Sequence, residues 1–335
     1  MVNKELLSLS LNDLFERYPY LTDFFDSRAL AQPELARYGS TAALRYFAEL
    51  DPVLLEDIGL SSEVLPEDML LFIMNMEDRF GKGSFVLESL TIVGGQDKEG
   101  APEDFEITLR PADVLSIVGP TGSGKSRLLA DIEWLAQGDT PTKRRILLNG
   151  TIPPAQWRFS LEHKVVAQLS QNMNFVMDIS VVEFIRMHAA SRMATDIDSK
   201  VELILDQANR LAGEPLLSHM PVTSLSGGQS RALMIADVAY LSTSPIVLID
   251  EIENAGIDRK TAIEMLIKNE KIIVIATHDP SLALRADTRL VIRNGSIVKV
   301  LKTSESERAH LVEIEAMDRK LMDYREQLRK GETIC

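Results

Sequence analysis

Apolar positions change their spacing twice along the chain. Over residues 1–80 they recur at helical intervals. Leu11, Leu14, Phe15 and Tyr18 follow i, i+3, i+4, i+7, one face of a helix. Ser40-Thr41 is placed to cap a second helix holding Leu44, Phe47 and Leu50. Pro66-Glu67-Asp68 reads as a first turn, proline early and acids at the positive end of the dipole, ahead of Leu70, Leu71, Ile73, Met74 and Met76. The texture shifts at Gly81-Lys82-Gly83-Ser84. Short β-branched runs then alternate with helical stretches, and Val114–Val118, Ile146–Leu148, Val165–Leu169, Ile246–Ile249 and Ile272–Ala276 are predicted as buried strands. Between Val181 and Leu217 the pattern is helical throughout, an insertion in the α/β body. After Val300, Ser304 and Glu307 stand at capping-box spacing, and Leu311, Ile314, Met317, Leu321, Tyr324 and Leu328 form a helical seam. These patterns predict a small all-α domain over 1–80, an α/β domain over 84–302 with a helical subdomain at about 176–224, and a C-terminal helix within 303–335.

Composition narrows this little and charge more. The 335 residues are 45% hydrophobic and 26% charged, ordinary for a globular chain. No apolar run approaches the ~18 residues of a membrane span. No apolar core follows Met-Val-Asn-Lys-Glu at the N-terminus, so a cytoplasmic location is expected. The single cysteine, Cys335, rules out an internal disulfide or a site built on several thiolates. The net charge is −14; residues 1–80 hold 15 acids and 6 bases, so −9 lies there and −5 in the rest. Such a chain is a poor phosphate-neutralising surface, and no nucleic-acid partner is expected. Ten of the 19 aromatic residues fall in the first 80, enough to seed a core of their own. His163, His188, His219 and His310 show no ligand spacing.

The sharpest chemistry is Gly119-Pro120-Thr121-Gly122-Ser123-Gly124-Lys125-Ser126, a match to G-x-x-x-x-G-K-[ST]. It follows the apolar run Leu115–Val118 and precedes the helical Arg127-Leu-Leu-Ala-Asp-Ile. In that context the glycines let the backbone curl so that N–H groups face phosphate oxygens, and the helix start adds partial positive charge. Lys125 would reach the β- and γ-phosphates, and Ser126 would ligand Mg²⁺.

Many nucleotide hydrolases share that loop. Leu225-Ser226-Gly227-Gly228-Gln229, about a hundred residues on, resembles the signature sequence of ATP-binding cassette (ABC) ATPases. Ile246-Val-Leu-Ile-Asp250-Glu251 resembles the Walker B strand with its glutamate, Ala276-Thr277-His278-Asp279 the H-loop, and Gln171 the Q-loop glutamine. The elements stand in family order over about residues 84–300. The resemblance implies a P-loop NTPase of ABC type, α/β with a helical signature subdomain, preceded here by the small all-α domain. It implies ATP and Mg²⁺ as cofactors. Ser126, Gln171 and Asp250 would hold the metal, Glu251 would orient or deprotonate the attacking water, and His278 would touch the γ-phosphate. The loop from Gly119 to Arg127 would bind nucleotide, as would Ser226, Gly227, Gly228 and Gln229 in trans and Asp258 as the D-loop aspartate. One signature per chain then implies a head-to-tail homodimer.

Three features depart from the family. The stretch Leu90-Thr91-Ile92-Val93-Gly94-Gly95 lacks the aromatic that stacks on adenine, so base selectivity should be weak. The segment after Asp250-Glu251 lacks the usual proline and reaches Asp258 one residue late. Arg127 replaces a common threonine. Two functions compete. One is the ATP-binding subunit of a transporter, held at the inner membrane face by a separate permease. The other is an ABC ATPase, soluble and not engaged in transport, that remodels or activates a client protein through residues 1–80. The family base rate favours the first, the acidic front domain and the altered D-loop the second; a DNA-repair or ribosome-associated cassette is a weaker third reading, since the chain has no long coiled coil, zinc cysteines or second cassette.

Overall fold

Period-two alternation along buried parallel strands sorts the core of the larger unit into two layers. The computed structural model describes residues 4–28, 30–57, 59–80, 85–158, 164–170, 175–192, 194, 196–251 and 256–334. The predicted boundary at 81–84, Gln171, His163, Cys335 and residues 252–255 lie outside them. The described chain forms two compact units, residues 1–86 and 87–335.

In the second unit a six-stranded sheet has the order β5 (Val166–Leu169), β6 (Ile246–Asp250), β7 (Ile272–Ala276), β3 (Val114–Val118), β8 (Thr288–Arg293), β9 (Ser296–Lys302). Its pairings are parallel except β8–β9. Val247, Ile249, Ile273 and Ile275 face a core shared with α8 (Val181–Ser191), α9 (Ile197–Leu211) and α10 (Gly227–Tyr240). Their neighbours Ile246, Leu248, Ile272 and Val274 face the other core with Leu128, Leu129 and Ile132 of α7 (Lys125–Glu133). Residues of β1 (Leu90–Val93), β2 (Glu106–Leu109) and β4 (Arg145–Leu148) complete that second core. These three strands form a separate antiparallel sheet, so the run at Ile146–Leu148 is buried without joining the parallel sheet. Continuous Val/Ile runs in β6 and β7 reflect burial on both faces.

The first unit is all helical in its described residues, from α1 (Leu11–Arg17) and α2 (Leu21–Asp26) through α3 (Leu35–Tyr38), α4 (Ala43–Ala48) and α5 (Pro52–Asp57) to α6 (Leu65–Phe80). Its core centres on Leu14, Leu21, Phe24, Phe25, Phe47, Met69 and Ile73. Arg28 lies 4.1 Å over the Phe24 ring and pairs with Asp68 at 2.6 Å, fastening α2 to α6. The Ser40-Thr41 cap does not form. Residue Ala42 precedes α4 with no side-chain cap, because the Thr41 carbonyl accepts from Leu11 N–H at 3.0 Å and Ala43 N–H bonds Leu9 O at 3.1 Å. A tertiary backbone bridge thus takes the place of the local cap. Leu44, Leu71 and Met74 of the predicted apolar faces are exposed.

The C-terminal α11 (Arg259–Lys268), α12 (Pro280–Arg285) and α13 (Glu305–Arg329) are laced by ion pairs. Arg259 pairs with Asp318 at 2.9 Å, Arg285 with Glu315, and Arg289 with Glu307 at 2.6 Å. The Ser304–Glu307 capping box forms, with N–H to carboxylate at 3.0 Å and N–H to hydroxyl at 3.2 Å. Met317, Leu321 and Leu328 of the predicted seam are exposed. Among the described residues no helix is long and apolar enough to cross a membrane.

One polar cluster lies inside this unit. Arg144 is fully buried and donates to Glu103 at 2.8 and 2.9 Å, to Asp131 at 3.3 Å and to the Gly295 carbonyl at 2.7 Å. Burial pushes the Glu103 carboxyl up. The Arg144 guanidinium and the N–H groups of Ile297 and Gly95 outweigh it and hold it below the ordinary 4.5. Replacing Arg144 with Leu strands two carboxylates in the interior and should cost about 3–5 kcal/mol in urea unfolding at pH 7. Because the folded Glu103 pKa is depressed, its contribution is present above pH 4.5 and is lost as pH falls through the folded value. Glu103→Gln should flatten that acid limb of the stability curve; an unaltered limb would mean another group controls it.

Candidate nucleotide site

Three neighbouring strands deliver the predicted chemistry to one edge of the sheet. β3 runs into the loop Gly119–Ser126, β6 into Asp250-Glu251, and β7 into Thr277-His278-Asp279. This is the carboxyl edge of a parallel sheet, where open α/β folds take ligands. Backbone bonds lock the three ends together: Glu251 N–H to Ala276 O at 3.0 Å and Thr277 N–H to Ile117 O at 3.1 Å.

The phosphate loop needs two of its glycines for backbone reasons. Gly122 has φ +76° and Gly124 φ +115°, left-handed values that side chains resist. A Cβ on Gly124 would also come within 3.1 Å of Gly295 Cα. Ser123 N–H bonds Pro120 O at 3.1 Å, and Gly295 N–H bonds Ser123 O at 2.7 Å, so the β8–β9 turn braces the loop. Lys125 opens α7 and is buried. Its ammonium lies 3.0 Å from Gly119 O, 3.3 Å from Pro120 O and 2.9 Å from His278 Nε2. Carbonyls gathered on the ammonium leave the loop's remaining N–H groups for an anion. Ser123 Oγ is buried without a hydrogen-bond partner among the described residues, an orphan that a phosphate oxygen would satisfy.

His278 bridges two halves of the site. Its Nε2 lies 3.7 Å from Glu251 Oε1 as well as 2.9 Å from Lys125. Glu251 adopts φ +50°, a strained conformation for a side-chain-bearing residue, costing about 1–2 kcal/mol. It is met at the exit of β6, where the chain must turn the carboxylate back toward His278. Asp250 ends β6 itself, and Ser126 is exposed in the first turn of α7. Both offer oxygen, the donor Mg²⁺ prefers, and Mg²⁺ commonly takes only one or two protein ligands beside phosphate.

Other predicted residues fall elsewhere. The Arg127 guanidinium lies 6.0 Å from the Trp134 ring at the far end of α7, so its side chain is directed along the helix and only its backbone belongs to the loop. Asp258 caps α11, accepting from Lys260 and Thr261 N–H at 3.0 and 3.2 Å. Ser226 and Gln229 form a reciprocal cap on α10: Ser226 N–H donates to Gln229 Oε1 at 2.9 Å, and Gln229 N–H to Ser226 Oγ at 3.3 Å. The Gln229 amide nitrogen donates to Pro215 O at 3.0 Å, so its side chain is fully engaged within the helical subdomain. Gly227 is exposed, and a Cβ there would touch nothing within 4 Å. Among the described residues, packing inside this chain does not demand glycine at that position.

Two features escaped the sequence. Lys98, on the β1–β2 connection, donates from Nζ to Gly122 O at 2.8 Å and from its backbone to Asn294 O at 3.1 Å. Lys98 lies three residues beyond Gly95, the end of the stretch that lacks an adenine-stacking aromatic. That stretch has no room for a ring, since a Cβ on Gly94 would lie 2.2 Å from Glu103 O and one on Gly95 2.0 Å from Thr142 O. The Asn294-Gly295 pair, at φ +50° and +84°, carries a local hairpin signal, but nothing local says that the turn braces Ser123 of the phosphate loop, roughly 170 residues earlier.

Arg127→Ala should leave the affinity for a fluorescent ATP analogue within about threefold, while loss of the Trp134 contact lowers unfolding free energy by about 0.5–1 kcal/mol. A large loss of affinity would place the guanidinium on the nucleotide instead.

The ABC transporter family profile matches residues 102–254. An uncharacterised ABC transporter ATP-binding protein of Methanocaldococcus jannaschii is 51% identical over 249 residues, 74% of this chain and 95% of that protein. The lipoprotein-releasing system ATP-binding protein LolD of Psychrobacter arcticus is 27% identical over 199 residues, 57% of this chain and 86% of its own. A solved ATP-binding subunit of an ABC transporter superposes with TM-score 0.51 at 18% identity, over 69% of this chain and 99% of that one, a likeness of fold. Half the residues are thus shared across nearly the full length of an archaeal ATP-binding protein, over the stretch where loop, signature and strand-end acids occur in order, and the chain belongs to the ABC family as a P-loop ATP hydrolase.

Proposed function

We propose that this chain is the ATP-binding subunit of an ABC transporter, binding Mg-ATP at the β3–β6–β7 edge and working as a head-to-tail homodimer. The observation that carries the site is the convergence of Lys125, His278 and Glu251 within 2.9 and 3.7 Å at adjoining strand ends. In this reading Lys125 turns from the loop carbonyls to the β- and γ-phosphates, and the loop N–H groups hold the oxygens. Ser126 and Asp250 would hold Mg²⁺, with Gln171 as a third ligand. Bound there, the ion would neutralise charge building on the phosphate oxygens. Glu251 accepts a proton from the attacking water, and His278 donates toward the γ-phosphate while steering the carboxylate.

Ser226 and Gly227 would complete the nucleotide site of a second copy. The open space at Gly227 supports this, since a glycine unneeded by its own chain leaves room for the partner's phosphates. Asp258 contributes to the same interface through the start of α11. The transport reading draws on the likeness to the ABC transporter ATP-binding protein of Methanocaldococcus jannaschii; the cytoplasmic location follows from a permease partner on the inner membrane face. The acidic, separately packed unit 1–86 supports a second reading, an ATPase that remodels a client protein without transport.

Glu251→Gln keeps the side chain's size but removes its basicity. The variant should bind ATP, turn over at least a hundredfold more slowly, and sediment as a dimer with Mg-ATP. A monomer under those conditions would exclude the head-to-tail arrangement. Lys125→Ala should lose tight ATP binding; unchanged affinity would remove the phosphate-loop assignment. Affinity capture on the full-length Glu251→Gln chain in detergent should retain a multi-span permease; recovery of a soluble enzyme would favour the client reading.

A further inference from the structure

We infer that Lys98 is a second nucleotide-binding cation, contacting the polyphosphate from the flank opposite Lys125; this rests on the nucleotide site proposed above. The phosphate loop is held by two ammonium groups. Lys125 Nζ lies on the carbonyls of Gly119 and Pro120, and Lys98 Nζ on that of Gly122, at 2.8 Å. An ammonium has three donors. The described residues give Lys98 one neutral acceptor and no carboxylate within 4.0 Å of Nζ.

The acids beside Lys98 are directed elsewhere. Asp97 Oδ1 accepts from the N–H groups of Glu99 and Ala101, both at 2.8 Å. Glu99 Oε1 accepts from Asn294 Nδ2 at 3.2 Å. A cation with two flanking acids, neither of which neutralises it, is placed for an anionic ligand. Its backbone is fixed as well, by the bond to Asn294 O at 3.1 Å, and a Cβ added at Gly295 would come within 3.0 Å of its Cγ. The same turn braces the phosphate loop through Ser123 O, so Lys98 and the loop share one support.

A lysine on this connection, where the glycine pair Gly94-Gly95 leaves no room for a ring, substitutes charge for stacking. A point charge on phosphate is indifferent to the base, so ATP, GTP and inorganic triphosphate should all gain from it. Base selectivity then stays within about tenfold, or ~1.4 kcal/mol.

Competition against a fluorescent ATP analogue tests this on the full chain, with ATP, GTP and inorganic triphosphate as competitors. Lys98→Gln keeps a donor for Gly122 O but removes the charge, and should weaken all three by about tenfold, as expected for a charge-assisted bond. Lys98→Arg should stay within about threefold of the parent chain. Unchanged binding of all three by Lys98→Gln would overturn the inference and leave Lys98 as a clamp on the loop. Loss for ATP and GTP without loss for triphosphate would overturn it too, assigning Lys98 to the base or ribose. Loss in Lys98→Arg equal to that in Lys98→Gln would do the same, since charge would not be what is read. Lys125→Ala is the reference. If it retains nucleotide, the site itself is misplaced; if it loses nucleotide while Lys98→Gln does not, only the role of Lys98 fails.

Discussion

A guanidinium with no exposure to solvent is expensive to hold, and in this protein the geometry of the nucleotide site depends on holding it. Arg144 projects from the start of β4 region into a pocket closed by Glu103, Asp131 and the Gly295 carbonyl. Those partners come from three separate segments, the β1–β2 connection, α7 and the β8–β9 turn, while Arg144 itself stands on the approach to β4. Two carboxylates and a carbonyl offset the desolvation of one cation only because all are in place together. Gly295 passes the constraint on, since its carbonyl accepts from Arg144 while its N–H holds Ser123 of the phosphate loop. The antiparallel sheet and the parallel sheet are thereby registered against each other at the edge where nucleotide chemistry occurs.

At that edge the protein keeps cations ready by lending them weak partners. Backbone carbonyls hold Lys125 and Lys98 beside the phosphate loop without neutralising either charge. His278 lies between Lys125 and Glu251, 2.9 Å from the one and 3.7 Å from the other. Glu251 holds a strained φ of +50° at this same edge.

The helical subdomain follows different physics. Ser226 and Gln229 satisfy the first turn of α10 between themselves, which stiffens the helix start that presents Gly227. Residues 1–86 have a core built on aromatic contacts such as Phe24–Phe25 at 5.3 Å and Phe24–Phe47 at 6.3 Å. They also carry −8 of the chain's −14 net charge, from 15 acids against 7 bases.

By itself the sequence determined what depends on local spacing. Residues Val114–Val118, Ile246–Ile249 and Ile272–Ala276 read as strands buried on both faces, because short continuous runs rich in Val and Ile favour a buried parallel strand over a helix. The phosphate loop was legible because its glycines and lysine act through adjacent backbone. The order of signature, strand-end acids and histidine marked the family. Tertiary structure decided what depends on distant segments meeting. It replaced the Ser40-Thr41 cap with a backbone bridge to Leu9 and Leu11, sent Arg127 along α7 to Trp134, and engaged Gln229 with Pro215. It also brought Lys98 onto Gly122 and buried Arg144 among two acids. A side chain's partner across the fold is set by sheet order and by which backbone groups remain unsatisfied once the layers pack, and neither is written in the spacing of its neighbours.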